Sequence, residues 1–202
     1  GTVRMVLPPL WDTWIGELSP ERNFGDGLGW YENGVPGEPA LFLGFNGTRR
    51  RTVLLGGFDF SRIPQDVEIR EAHLRLYLVY SGSAAPVTIG VHNIESEWRE
   101  LEVTMKSEPE LSDRVWSVTT VEGALLLNEK REGRGRWIRW DVTELVRAIV
   151  AGEVDTDGVA LRPQGAYGVD RQFDCLESSE DFHPRLEVYL PESSGLESEP
   201  AA

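Results

Sequence analysis

The feature that most constrains this chain is a period of two in its apolar residues, cut into short lengths by turn-forming residues. In residues 72–80, Leu74, Leu76 and Leu78 alternate with His73, Arg75, Tyr77 and Val79. Successive side chains on an extended strand point to opposite faces, so this run has one aliphatic face and one mixed face, as a strand half buried against a core does. Similar short runs occupy residues 41–45, 52–55, 87–91, 115–121, 136–140, 158–161 and 185–190, with turn formers between them. About eight to ten such strands, without a repeating strand–helix alternation, predict an all-β antiparallel β-sandwich rather than an α/β fold. There is no internal repeat.

One segment departs from that period. Across residues 141–152, Val142, Leu145, Val146 and Ile149 fall at helical spacing, Asp141 and Glu144 have the form of a capping box, and Gly152 closes the run. The spacing predicts one short amphipathic α-helix that lays its apolar stripe on the core.

A length of 202 residues suits one domain, and seven tryptophans with 40% hydrophobic residues suffice for a packed core. Thirty-four acidic against 20 basic side chains leave a formal charge of -14. Such a surface repels phosphate backbones and anionic lipid, which excludes general nucleic-acid binding and disfavours membrane surfaces. No apolar run approaches the roughly 18 residues of a membrane helix, and no signal peptide is read at the start. The single Cys175 cannot form an internal disulfide or a multi-cysteine metal site; with Phe173 and Leu176 nearby it reads as a buried, inert thiol.

Both ends differ from the middle. In residues 1–11, Val3, Met5 and Leu7 alternate with Thr2, Arg4 and Val6 before Pro8 and Pro9 stop any pairing, so this part reads as a strand-like N-terminal extension. Residues 12–190 read as the sandwich. Residues 191–202 are small, acidic and Ser-rich, the composition of a tail.

The order of specific residues resembles the DNRLRE domain family. Asp12, Thr13 and Ile15, then Asn23, Phe24 and Gly25, then Arg51 to Leu55, Phe58, Asp59, Ser61, Ile63 and Pro64 leading into Ala72, Leu74 and Leu76 are similar to its first half. Trp98, Glu100, Val103 and Thr104 resemble its tryptophan-centred motif, and Trp140, Asp141, Val142, Thr143 and Leu145 its strand-to-helix motif. Gly158, Val159 and Leu161 with Pro184, Arg185 and Leu186 resemble its closing strands. The resemblance implies a jelly-roll-like β-sandwich, usually without catalysis, in secreted or surface-attached proteins of bacteria and archaea. Some relatives are classed as carbohydrate-binding modules, including ones attached to alginate-degrading enzymes, and others are parts of large surface proteins. Met105 departs from the pattern, since the family often has a second tryptophan after Thr104.

No catalytic constellation is legible. Neither Cys175 nor any serine has a nucleophile's context, and His73, His92 and His183 are too scattered for a metal motif. Glycoside hydrolysis needs two carboxylates about 5–10 Å apart, and the sequence nominates no such pair. The chain is therefore expected to be no enzyme and to need no cofactor. Structural Ca²⁺ would suit Asp155 with Asp157, or Asp12 with Asp26, the alternative for each pair being a solvated acidic turn. Sugar binding calls for planar rings on the apolar face of a pyranose. Trp30 and Tyr31, in the Gly-rich stretch 25–37, are the first candidates, and Trp11 and Trp14 the second; the alternative is that these rings lid the core. Arg49, Arg50 and Arg51 form the only basic run and flank a strand end. Asn46, Gly47 and Thr48 form an N-glycosylation sequon in a turn between two strands.

Two functions of different class follow. The first is a non-catalytic extracellular or cell-surface subunit of a pilus-like homopolymer, in which Val3, Met5 and Leu7 of one copy are donated to a sheet edge of the next. Burying them would contribute roughly 5–8 kcal/mol before ordering costs. Residues 2–7 could equally form the domain's own first strand. The second is a carbohydrate-binding module that takes a polysaccharide on loop aromatics.

Overall fold

The computed structural model describes residues 1–26, 39–123 and 135–200. Along the chain run β1 (Thr2–Leu7), β2 (Trp11–Gly16), β3 (Leu41–Gly47), β4 (Arg49–Gly56), β5 (Glu71–Ser81), β6 (Val87–Asn93), β7 (Ser117–Val121) and β8 (Arg136–Asp141). Then come α1 (Thr143–Val150), β9 (Val159–Pro163), β10 (Gly168–Phe173) and β11 (Arg185–Pro191). The strands form one antiparallel, curled sheet in the order β1-β11-β5-β10-β3-β4-β9-β6-β7, with β2 added on β4 and β8 on β5.

Two strands make the corners. β5 pairs with β11 through Glu71–Arg75 and then with β10 through Leu78–Ser81, while β8 lies along its other edge. β4 likewise pairs with β3 at Arg49–Arg51 and with β9 at Val53–Leu55. A strand that changes partner midway turns a sheet back on itself. The result is the expected β-sandwich of jelly-roll type, with a core containing Trp14, Phe42, Val53, Leu74, Leu76, Trp140, Phe173 and Val188. Trp140 spans it, donating from Nε1 to the Ile89 carbonyl of β6 at 3.0 Å.

The run 52–55 does not alternate because β4 is buried on both faces. Val53 and Leu55 enter the main core. Leu54 joins Ile15 and Ala160 in a second core, closed by Ile94 and Val103 of the segment between β6 and β7. Met105 packs at the border of this second core.

The helix is shorter than its apolar spacing. Val142 takes the cap position without a side-chain bond. Asp141 still organises the first turn, its Oδ1 accepting from Thr143 N at 3.0 Å and Thr143 Oγ1 at 2.6 Å. Gly152 ends the helix in the left-handed region at φ 75°. No described helix is long and apolar enough to cross a membrane.

At the N-terminus the structure replaces strand donation with in-chain pairing. β1 runs antiparallel to β11 in the register Thr2↔Pro191 to Leu7↔Leu186. Val3, Met5 and Leu7 are buried in the chain's own core. Pairing within the chain avoids the translational and rotational cost of association, and β11 offers the matching apolar face.

Candidate functional site

At one end of the sandwich the chain builds an aromatic cleft. β2 opens with Trp11, which sits opposite Gly56 at the end of β4. A Cβ on Gly56 would lie 2.8 Å from Trp98 Cζ2. One on Gly57, which has a left-handed φ of 78°, would lie 3.0 Å from Trp11 Cε3. The Gly-Gly step therefore lets two indoles approach the backbone where any side chain would hold them off. Trp98 is pinned from the far side, donating from Nε1 to the Asp157 carbonyl at 2.8 Å.

The turn that carries Asp157 is fixed as well. Asp157 N donates to the Ile94 carbonyl at 2.9 Å. Gly158 N donates to Thr156 Oγ1 at 3.0 Å, and that hydroxyl donates to the Gly158 carbonyl at 3.0 Å. The resulting cleft, about 370 Å³, is lined by Trp11, Phe58, Phe60, Trp98, Glu97, Arg99, Thr156 and Asp157. Trp11 keeps 48% of its surface in solvent. Glu97 and Asp157 are exposed at the rim, so planar rings and hydroxyl-accepting carboxylates meet in one open groove.

Below the cleft lies a hydrogen-bonded layer built from the motif residues. Asp12 N donates to Glu100 Oε2 at 2.8 Å, and Asp12 Oδ2 accepts from Leu176 N at 2.8 Å. Asn23 Nδ2 donates to the carbonyls of Glu100 and Val103, each at 2.8 Å. These bonds fasten the segment between β6 and β7 onto β2. Burial, with the Glu177 charge second, pushes the Asp12 carboxyl up to about 7 against the Leu176 N–H, which holds it down. Burial and the neighbouring carboxylates Asp12 and Glu177 push the Cys175 thiol up, so it stays unreactive. Glu100 is also raised, chiefly by burial.

Among the described residues one group of His, Cys, Asp and Glu brings three ligand atoms within 4.8 Å of one another: Asp12, Cys175 and Glu177. The pairs nominated for Ca²⁺ are arranged otherwise. Asp155 and Asp157 are exposed, and their main-chain carbonyls serve Asn93 Nδ2 at 2.9 Å and Trp98 Nε1. Asp26 is exposed whereas Asp12 is buried.

Trp30 and Tyr31 lie outside the described residues. Trp14 is corrected from platform to core: it is 1% exposed, stacked on Phe24 at 3.7 Å and Phe42 at 4.8 Å. Of the two described candidates, Trp11 is the one set in the cleft. Trp98, Phe58 and Phe60 were missed as cleft residues; the available signal was the Gly56-Gly57 step followed by Phe58. The arginine run makes no basic patch, because Arg51 is buried over the Trp14 and Phe42 rings and faces Asp170 at 3.5 Å. Trp137 is partly buried, with the Arg185 guanidinium 4.2 Å and the Arg75 guanidinium 5.1 Å from its ring centroid. Asn46 is exposed where β3 turns into β4, beside Gly47 at φ 63°.

No curated protein matches the chain. The model of carbohydrate-binding module family 96 matches residues 4–189, from within β1 to within β11. With nearly all of the sandwich inside that match, the chain belongs to carbohydrate-binding module family 96.

Proposed function

We propose that this domain is a non-catalytic, extracellular polysaccharide-binding module of the DNRLRE type, and that the Trp11–Trp98 cleft holds the glycan. One observation carries the reading: a half-exposed indole, braced by glycine on a strand end, shares an open groove with a second anchored indole and two exposed carboxylates. The Trp11 ring would stack on the C–H face of a pyranose while Glu97 and Asp157 accept hydrogen bonds from its hydroxyls. Family membership supports binding over hydrolysis. The filament reading loses its main support, because residues 2–7 are used within the chain.

Affinity electrophoresis against neutral and acidic polysaccharides, followed by titration with the retained one, tests the site. Trp11→Ala should lose at least about ten-fold in affinity, on the order of 1.4 kcal/mol, with its melting curve nearly unchanged. Full retention by Trp11→Ala would remove the cleft from the reading. Loss on Trp30→Ala instead would move the platform to that residue.

A further inference from the structure

β1 ends the sheet, and no described strand pairs with its outer edge. An open edge offers N–H and C=O groups to any extended chain, so its polar groups must be accounted for. Four of them belong to Arg4 and Val6, and all four are occupied. Arg4 N donates to Ser198 Oγ at 3.1 Å, and the Arg4 carbonyl accepts from Glu199 N at 2.7 Å. Val6 N donates to the Glu199 carboxylate, and the Val6 carbonyl accepts from Arg62 Nη1 at 3.0 Å. Arg4 Nε donates to the Glu199 carbonyl at 3.0 Å, and Arg62 Nη2 pairs with the other Glu199 carboxylate oxygen. Glu199 thus stands in for a strand: its main chain meets Arg4, its carboxylate replaces the next carbonyl, and Arg62 closes the set.

We infer that residues 196–200 are a strap that reserves the β1 edge, and that the occupant it excludes is the β1 edge of a second copy of this chain. The edge is self-complementary. In antiparallel pairing about a two-fold axis at Met5, Arg4 of one copy stands opposite Val6 of the other. Arg4 N–H then meets the Val6 carbonyl and Val6 N–H the Arg4 carbonyl, so the pairing satisfies the same four groups that the strap holds. β1 stays in its own sheet throughout, which separates this contact from strand donation. Charge complementarity seats the strap: Glu199 lies between Arg4 and Arg62 on a molecule whose net charge of -14 otherwise repels acidic segments. Pro8 and Pro9 end the edge, so an incoming strand has room for this short ladder and little more.

The test uses the full chain with Arg62→Glu, which expels Glu199 without altering the strap. At concentrations too low for a dimer, hydrogen exchange at the Arg4 and Val6 amides should speed up by at least about ten-fold; at higher concentrations light scattering on a sizing column should show a dimer where the wild type is monomeric, and the same amides should slow again. Adding Glu199→Arg to Arg62→Glu should restore the monomer and slow exchange at the Arg4 amide, whose acceptor is Ser198 Oγ, while the Val6 amide stays fast because a guanidinium accepts no hydrogen bond. Unchanged exchange in Arg62→Glu overturns the strap. Fast exchange with a persistent monomer overturns the second copy as occupant, and a dimer in which the Arg4 and Val6 amides remain fast overturns the β1 pairing.

Discussion

Trp11 and Trp14 stand on the same six-residue strand and meet opposite fates. An odd offset puts them on opposite faces of β2. Trp14 faces the main core, stacked between Phe24 and Phe42. Trp11 shares its face with Ile15, which the segment between β6 and β7 covers in the second core, but that cover stops short of the strand's start. The uncovered end becomes the cleft. An aromatic's availability is therefore set by strand parity and by where the overlying segment ends, not by membership of a loop.

The sharpest way to break this contrast is to remove the core member. Trp14→Ala should cost about 3–5 kcal/mol, because it deletes a fully buried ring that its neighbours cannot fill in for. Denaturant unfolding reads the loss directly. The same variant, assayed while still folded, should keep its glycan affinity; an affinity loss as large as that of Trp11→Ala would mean that the two rings are not separated as described.

Trp98 belongs to both regions and sharpens the comparison from between. It walls the cleft, packs on the second core and donates to the Asp157 carbonyl. Trp98→Ala should therefore lower stability by about 1–3 kcal/mol and weaken glycan binding together. Trp98→Phe should return most of the packing but not the hydrogen bond, so stability should recover further than affinity.

The strands are largely legible because alternation survives wherever one face is buried, as in β1, where Val3, Met5 and Leu7 are buried and Thr2, Arg4 and Val6 are not. It failed at residues 52–55, where both faces are covered and no parity remains to read. The site was legible in part. Trp11 was singled out, but Trp14 was ranked beside it although the parity of β2 already separates them. Trp98 was read only as a motif residue, because its place beside Trp11 depends on how the segment between β6 and β7 folds over β4. The sequence pairs Asp12 with Asp26 as carboxylates, whereas in the fold Asp12 is bonded by Glu100 and Leu176, 88 and 164 residues away. Some of the residues that carry the family resemblance, Asp12, Asn23, Trp98 and Glu100, make the bonds that hold this end together.

Asp12 lies between the two tryptophans, and its effect is a slope in pH rather than a fixed loss. Its carboxyl sits near 7 in the fold against 3.8 unfolded. Between about pH 4 and about pH 7 the folded chain therefore holds a proton that the unfolded chain gives up, and each unit of rising pH favours the unfolded state by up to about 1.4 kcal/mol. Asp12's stabilising share is complete below about pH 4 and lost as the pH passes through about 7. Glu100 is raised as well and shares part of the same decline. Asp12→Asn keeps an oxygen for Leu176 N–H and carries no charge at any pH. It should match the wild type near pH 4, exceed it above pH 7, and flatten the decline between them. Equal slopes in urea unfolding of the two proteins across that range would show that burial of Asp12 does not govern the response, and that the layer beneath Trp11 is more open to water than the core around Trp14.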